Sequence, residues 1–88
     1  MTRDHLTIVV AAYNEAESLP LLQPRVRAVM DALETQAGLV CRVLYVDDGS
    51  RDHTWAVMQQ FAADDGRVAL LRLSRNFGKE LALTAGLD

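Results

Sequence analysis

Residues 41–50, CRVLYVDDGS, decide the fold of this chain. The first six form a short apolar run, which predicts a β-strand. The next four, Asp-Asp-Gly-Ser, are typical of a turn, and Asp52 just beyond them is suited to cap a helix. The stretch therefore predicts a strand that ends in two adjacent acids and leads through a turn into a helix.

Two runs of the same kind flank this stretch. Residues 6–12 are apolar, too short for a helix and without polar alternation, which predicts a strand buried on both faces. Residues 68–73 predict a third strand, and residues 80–87 the start of a further helix. The helix between the second and third strands is indicated by apolar side chains at helical spacing: Trp55, Met58, Phe61 and Ala62.

The helix after the first strand is predicted to extend to about residue 36. Asn14 and Glu17 have the spacing of a capping box at its start, and Gly38 is suited to end it. Pro20 fits near the amino terminus of a helix. Pro24 lacks a backbone N–H donor, so we expect it to kink the helix or to restart it.

Strand and helix alternate three times, which predicts an α/β fold in βαβαβα order. Successive right-handed crossovers then give a parallel sheet with helices covering its faces, a three-layer arrangement. Ligands of such sheets bind at the carboxyl ends of the strands. Three polar segments, residues 13–15, 47–50 and 74–79, follow the predicted strands. We therefore expect the binding site at that edge of the sheet.

Composition narrows the class of protein. The chain has 88 residues, 24% of them charged, and a net charge of −3, which fits one soluble domain. Its basic residues are scattered, which argues against a nucleic-acid partner. No apolar stretch approaches the roughly 20 residues that span a bilayer, and no signal-peptide core begins the sequence, so we expect a cytoplasmic location. Cys41 is expected to be a buried thiol, and His5 and His53 lack neighbouring metal ligands.

Asp47 and Asp48 are the most informative polar residues. Two acids directly after a buried strand need hydrogen-bond donors, because an unpartnered carboxylate near a sheet core is costly. The donors are either backbone N–H groups of the following turn or groups of a ligand. Nucleobase N–H groups and ribose hydroxyls suit carboxylates, whereas phosphates would be repelled. The acids therefore predict the nucleoside end of a ligand, with any diphosphate directed toward a cation.

The other polar segments allow two interpretations each. Tyr13 could stack on a base or pack under its loop, and Glu15 could accept a ribose hydroxyl or favour the amino terminus of a helix. Gly78 would let the backbone approach a ligand, and Lys79 would supply charge for a phosphate. The sequence has neither a dinucleotide-binding fingerprint after the first strand nor a P-loop.

Three stretches together resemble a known family: residues 9–20 (VVAAYNEAESLP), 45–54 (YVDDGSRDHT) and 73–88 (LSRNFGKELALTAGLD). In order and spacing they resemble the start of the inverting glycosyltransferases of family 2, which have the GT-A fold. The likeness is greatest to the polyprenyl-phosphate branch, which includes dolichyl-phosphate mannose synthases and undecaprenyl-phosphate glycosyltransferases. It covers essentially the whole chain. Ala11 departs from the pattern, since the family usually has proline there.

The resemblance implies roles for the polar segments. Tyr13 and Glu15 would border the nucleoside, Asp48 with Asp47 beside it would contact base and ribose, and the Gly-Lys pair at 78–79 would lie near the far side of the nucleotide. A divalent metal, Mg²⁺ or Mn²⁺, is implied on the diphosphate. The Asp-x-Asp that holds it, the catalytic base and the acceptor-phosphate site lie further along the family's sequence. We therefore expect residues 1–88 to be the N-terminal nucleotide-binding part of an incomplete, truncated catalytic domain.

The function implied is transfer of a hexose from a nucleotide-diphosphate sugar to a polyprenyl phosphate with inversion, in cell-envelope glycan biosynthesis. The chain by itself would be inactive, and membrane association would come only from segments outside it. Two alternatives remain: a receiver-like phosphoacceptor signalling domain, which also places paired acids after a strand, and a catalytically inactive interaction domain. A receiver has its acid pair after the first strand and a further Asp after the third, whereas Leu73-Ser74-Arg75 offers no acid.

The resemblance also bears on assembly. In the GT-A fold the first strand lies inside the sheet, between the second strand and a later one. Without that later strand, residues 6–11 would present an unpaired edge of isoleucine and valine with no charge or proline to block pairing. We expect two copies to pair these edges across a two-fold axis, giving a homo-oligomer.

Overall fold

Four strands form one sheet in the order β1-β2-β3-β4. The computed structural model describes residues 4–73 and the backbone of residues 81–84. The elements along the chain are β1 (His5–Ala12), α1 (Leu19–Ala37), β2 (Val40–Asp47), α2 (Thr54–Asp64), β3 (Val68–Leu73) and β4 (Leu81–Thr84). β1 pairs in parallel with β2, and β2 with β3. The predicted α/β class, with a parallel sheet built by βαβαβ crossovers, is confirmed.

The last predicted element is wrong where the structure describes it. Residues 81–84 form β4, antiparallel to β3, instead of part of a helix over 80–87. An isolated helix of so few residues is marginal, because nucleation is costly and few hydrogen bonds repay it. The outer edge of β3 offers backbone partners at once, with Leu71 paired to Leu83. The remainder of the segment lies outside the described residues.

The helices occupy one face of the sheet, so the described residues form two of the three expected layers. The strand order β1-β2-β3 advances in one direction, and right-handed crossovers that advance in one direction place both helices on the same side. The opposite face stays open in the part of the chain described: Val9 on β1 is 63% exposed. The prediction of a first strand buried on both faces is therefore wrong for this structure.

The core lies between the sheet and the two helices. Alternate residues of β2 (Cys41, Val43 and Tyr45) point into it and are at most 1% exposed. Met30 of α1 and Met58 of α2 meet them there. The buried thiol expected of Cys41 is confirmed, and burial raises its pKa.

Tyr45 carries a polar group into this core. Its hydroxyl donates a hydrogen bond to the side-chain oxygen of Gln23, which is itself buried on α1. Its ring packs against Phe61 of α2, with ring centroids 5.4 Å apart. Because burial disfavours the phenolate, the pKa of Tyr45 rises to about 12.

The ends of α1 agree only partly with the sequence analysis. The helix begins at Leu19 with Ser18 as N-cap, and no side chain caps it, so the capping box at Asn14 is wrong. Pro20 lies in the first turn as expected, while the helix runs without a restart through Pro24 to Ala37. Gly38 ends it in the left-handed region, with φ +68°, and its N–H donates to the carbonyl of Leu33.

Arg67 ties the two helices together at the amino end of β3. Its guanidinium donates to Asp65 at 2.7 Å, to Asp31 at 2.9 Å and to Glu34 at 3.0 Å. Two of these acids belong to α1 and the third lies at the end of α2. The hydrogen bonds from Arg67 lower the pKa of Asp65. This cluster fixes the helical layer at the end of the sheet opposite the candidate site.

Candidate functional site

The carboxyl ends of β1 and β2 meet at the predicted edge. Ala12 is paired in register with Asp47, and the N–H of Asp48 donates to the carbonyl of Ala12 at 2.9 Å. The residues that follow the two strands, Tyr13 and Asp48, are therefore neighbours. Both are exposed, as is Glu15 two residues further on. The structure thus brings together three of the six predicted site residues on an accessible surface.

Asp47 has a different position from Asp48. It is the last inward-facing residue of β2 and is completely buried. Its Oδ1 accepts a hydrogen bond from the N–H of Ser50 at 2.9 Å, so for this acid the following turn supplies a donor. Its buried Oδ2 has no hydrogen-bond partner within the described residues, and the nearest cation is Nε of Arg72 at 3.6 Å.

Arg72 stands on β3 at the position paired with Asp47. Its guanidinium lies over the ring of Trp55 in the first turn of α2, 5.2 Å from the ring centroid, an arrangement typical of a cation–π contact. The side chain is 44% exposed, so its charge is shared between the buried carboxylate and solvent. One charged residue in the apolar strand β3 therefore supplies a partner for the buried acid.

The loop after β1 is bound to the loop after β2 by hydrogen bonds from three consecutive backbone amides. The N–H of Asn14 donates to Oγ of Ser50 at 2.8 Å, and that of Glu15 to Oγ1 of Thr54 at 2.8 Å. The N–H of Ala16 donates to Oδ2 of Asp52 at 3.3 Å. We call this set of three side chains and three amides the amide clasp.

Asp52 and Thr54 reinforce each other within the clasp. Oδ1 of Asp52 accepts hydrogen bonds from the hydroxyl and, at 2.9 Å, from the backbone N–H of Thr54. These bonds, the hydroxyl bond first, lower the pKa of Asp52. The N-cap of α2 is His53, without a side-chain bond, so the predicted capping by Asp52 occurs from the position before it.

Asn14 adapts the backbone to this arrangement. Its φ of +52° lies in the left-handed region, which asparagine tolerates better than most residues. Its Oδ1 accepts a hydrogen bond from the N–H of Arg51 at 2.8 Å, so the two loops are bound in both directions.

Two predicted site residues, Gly78 and Lys79, lie outside the described residues. The contributions of Ser50 and Thr54 do not follow from the sequence, because their partners are the backbone of a loop 36 to 39 residues away. Arg72 is a further residue not predicted for the site, and its only signal in the sequence is a single charge at the end of an apolar strand.

Neither a metal centre nor a membrane span is found in the part of the chain described. No group of three His, Cys, Asp or Glu side chains comes together in a way that could hold an ion. The described residues therefore offer no ligand set for the implied divalent metal. Neither of the two described helices combines the length and the apolar character needed to cross a membrane.

Comparison with known proteins gives a consistent result. Residues 7–88 match the family model described as Glycosyl transferase family 2. An uncharacterized glycosyltransferase of Synechocystis is 37% identical over 94% of the chain and 25% of its own length. A prophage bactoprenol glucosyl transferase homolog of Escherichia coli is 36% identical over 94% of the chain and 26% of its own length.

A third relative is the undecaprenyl-phosphate 4-deoxy-4-formamido-L-arabinose transferase of Pseudomonas fluorescens. It is 38% identical over 94% of the chain and 24% of its own length. The chain therefore spans about a quarter of the length of the curated relatives it matches.

Proposed function

Because the chain belongs to glycosyl transferase family 2, we propose that it forms the nucleotide-binding part of an enzyme that transfers a hexose from a nucleotide-diphosphate sugar to a polyprenyl phosphate. The acceptor class is taken from two relatives whose names specify bactoprenol and undecaprenyl phosphate. The activity is proposed for the whole protein.

The observation that carries this proposal is the exposed group of Tyr13, Glu15 and Asp48 at the joined ends of β1 and β2. An aromatic ring can stack on a base, and two carboxylates can accept hydrogen bonds from base N–H groups and ribose hydroxyls. Such side chains recognise a neutral nucleoside and not its phosphates.

The amide clasp supports the same orientation of the donor. In many α/β proteins, free amides after the first strand bind a phosphate at the start of the helix. Here the amides of residues 14–16 already donate to protein oxygens, one of them on the carboxylate of Asp52. A phosphate at that position would find these amides already occupied and would be repelled by the negative charge of Asp52. The nucleoside therefore lies over β1 and β2, and the diphosphate extends away from this loop.

The proposed reaction is an in-line displacement at the anomeric carbon. An oxygen of the acceptor phosphate attacks from the face opposite the nucleotide and forms the new C–O bond. The bond from the anomeric carbon to the donor diphosphate breaks, and its electron pair leaves with the nucleotide, which inverts the configuration. The chain's part in this step is to hold the nucleoside so that the diphosphate leaves in line with the attack.

The observations give little support to a phosphoacceptor function. A phosphoacceptor aspartate must reach solvent, which rules out Asp47, because it is fully buried and bonded to Ser50. The end of β3 brings an arginine, Arg72, to that acid. For the exposed Asp48, the match of residues 7–88 to glycosyl transferase family 2 favours the nucleoside-binding role.

A titration followed by NMR tests the binding site. We expect millimolar uridine or guanosine diphosphate to shift the amide signals of Tyr13, Asp48 and Gly49. Asp48→Asn should abolish the response, because an amide cannot replace both acceptor oxygens. Asp64→Asn, at the far end of α2, removes an equal charge and should respond as the wild type does. Equal responses from the wild type and Asp48→Asn would contradict the assignment, as would no response to either nucleotide.

A second experiment tests whether the reacting groups lie in this chain or in the rest of the protein. We expect the 88-residue chain to show no sugar transfer and no donor hydrolysis above background, while the full-length protein transfers the sugar. Turnover by the chain alone would show that the reacting groups lie within it.

A further inference from the structure

We infer that Ser50, Asp52 and Thr54 are positioning residues for donor binding, which act through the loop that carries Tyr13 and Glu15. The inference rests on the proposed function and assigns a task within it to side chains that need not touch the donor. It differs from a purely structural role because it predicts an effect on nucleotide affinity that exceeds any effect of lost stability.

The clasp determines where the loop after β1 can lie. Residues 13–15 are neither strand nor helix, so their backbone depends on other partners for its position. The amides of Asn14 and Glu15 obtain those partners from Ser50 and Thr54, at 2.8 Å each. Ser50 is 7% exposed and Thr54 is fully buried, so both anchors are held by the packed part of the molecule.

The Thr54 side chain cannot reach a bound donor, because it is fully buried and its one hydroxyl proton is already donated. Its hydroxyl donates to Asp52 and accepts from the N–H of Glu15, and the side chain is buried. An effect of Thr54 on donor binding must therefore pass through Glu15 and its neighbours in the loop. Asp52 is exposed, and it contributes to the position of the loop because its two oxygens accept from Thr54 and from the N–H of Ala16.

Without the clasp the loop would sample several conformations, and only a fraction would present Tyr13 and Glu15 correctly. The apparent dissociation constant rises in inverse proportion to that fraction. One backbone-to-hydroxyl hydrogen bond has a net worth that corresponds to about a three- to tenfold change in an equilibrium constant. We expect a change of this size when Thr54 loses its hydroxyl.

The experiment uses calorimetric titration of the full-length protein with uridine and guanosine diphosphate. Thr54→Val keeps the shape of the side chain and removes the hydroxyl, and we expect it to raise the dissociation constant about three- to tenfold. Thr54→Ser restores the hydroxyl and should bind within about twofold of the wild type. The KM for the donor should rise in Thr54→Val by a similar factor, with a smaller change in kcat.

Tyr45→Phe is the matched control. It also removes one buried hydroxyl, but that hydroxyl bonds Gln23 in the core and has no bond to either loop. If Thr54 has a merely structural role, Thr54→Val and Tyr45→Phe should both lower the melting temperature and both leave the nucleotide affinity unchanged. That result would overturn the inference and leave the proposed function intact, because the wild type would still bind. If the wild type binds neither nucleotide, the proposed function fails first, and the inference fails with it.

Discussion

Replacing Arg72 by methionine tests how the buried acid at the end of β2 is stabilised. Asp47 is fully buried, and its Oδ2 lies 3.6 Å from Nε of Arg72. Two unit charges at such a distance attract by about 4–5 kcal/mol at an effective dielectric constant of about 20. Arg72 is 44% exposed, and it donates no hydrogen bond to Oδ2 of Asp47. Solvent screening therefore reduces the expected contribution of the ion pair to the free energy of unfolding to about 1–2 kcal/mol.

The stacking of Arg72 on Trp55 adds to this contribution. The contact at 5.2 Å from the ring centroid is worth about 0.5–1 kcal/mol at a partly exposed site. Methionine keeps a similar length and can still cover the ring, but it carries no charge. We therefore expect Arg72→Met to lower the free energy of unfolding by about 1.5–3 kcal/mol, the sum of the two effects.

Urea unfolding of the wild type, Arg72→Met, Asp47→Asn and the double variant gives a double-mutant cycle for the ion pair. We expect a coupling energy of about 1–2 kcal/mol. Arg42→Met is the control, since it removes an exposed arginine from the opposite face of the sheet and should change stability by less than about 0.5 kcal/mol. A coupling energy below about 0.3 kcal/mol would refute the reasoning, because the turn N–H of Ser50 would then stabilise the buried acid alone.

Three further predictions concern the fold. Gly38→Ala should lower the free energy of unfolding by about 1–2 kcal/mol, because the φ of Gly38 is +68°. At Gly66 a Cβ would meet no atom within 4 Å and φ is not positive, so Gly66→Ala should be close to neutral in the same denaturation assay. The pKa of Tyr45 in the folded state, about 12, exceeds its unfolded value of about 10. The contribution of Tyr45 to the free energy of unfolding is therefore complete below about pH 10 and is lost as the pH rises toward 12, and Tyr45→Phe should remove this loss of stability at alkaline pH. In the sheet described, β1 pairs only with β2, so we expect dimers by light scattering and slow exchange of the Val9 and Val10 amides; a monomer with fast exchange would contradict this.

The strands were predictable because short apolar runs bounded by turn residues have few other structures available to them. Residues 68–73 are predicted and observed with the same bounds, and β2 differs from its prediction by one residue at each end. The final segment was not predictable, because the choice between helix and strand at residues 81–84 depends on the free edge of β3. Local sequence carries no information about such a partner.

The candidate site was also predictable only in part. That polar residues after β1 and β2 would meet follows from the parallel pairing of the strands, and the register of Ala12 with Asp47 confirms it. The capping box at Asn14 and Glu17 was wrong because the expected local bond was replaced by a distant one. The backbone N–H of Asn14 donates to Oγ of Ser50, and a spacing rule within one helix cannot anticipate that partner.

The two adjacent acids show why a motif does not assign equal roles to its residues. Side chains alternate across a strand, so Asp47 follows Tyr45 into the helix-covered side, where it becomes buried and binds the turn. Asp48 comes one position later, beyond the end of β2, and is exposed beside the loop after β1. Within YVDDGSRDHT, side-chain oxygens of Asp47, Ser50, Asp52 and Thr54 accept hydrogen bonds from backbone N–H groups of the two loops. A substitution at one of these four should therefore change loop position or stability together with affinity.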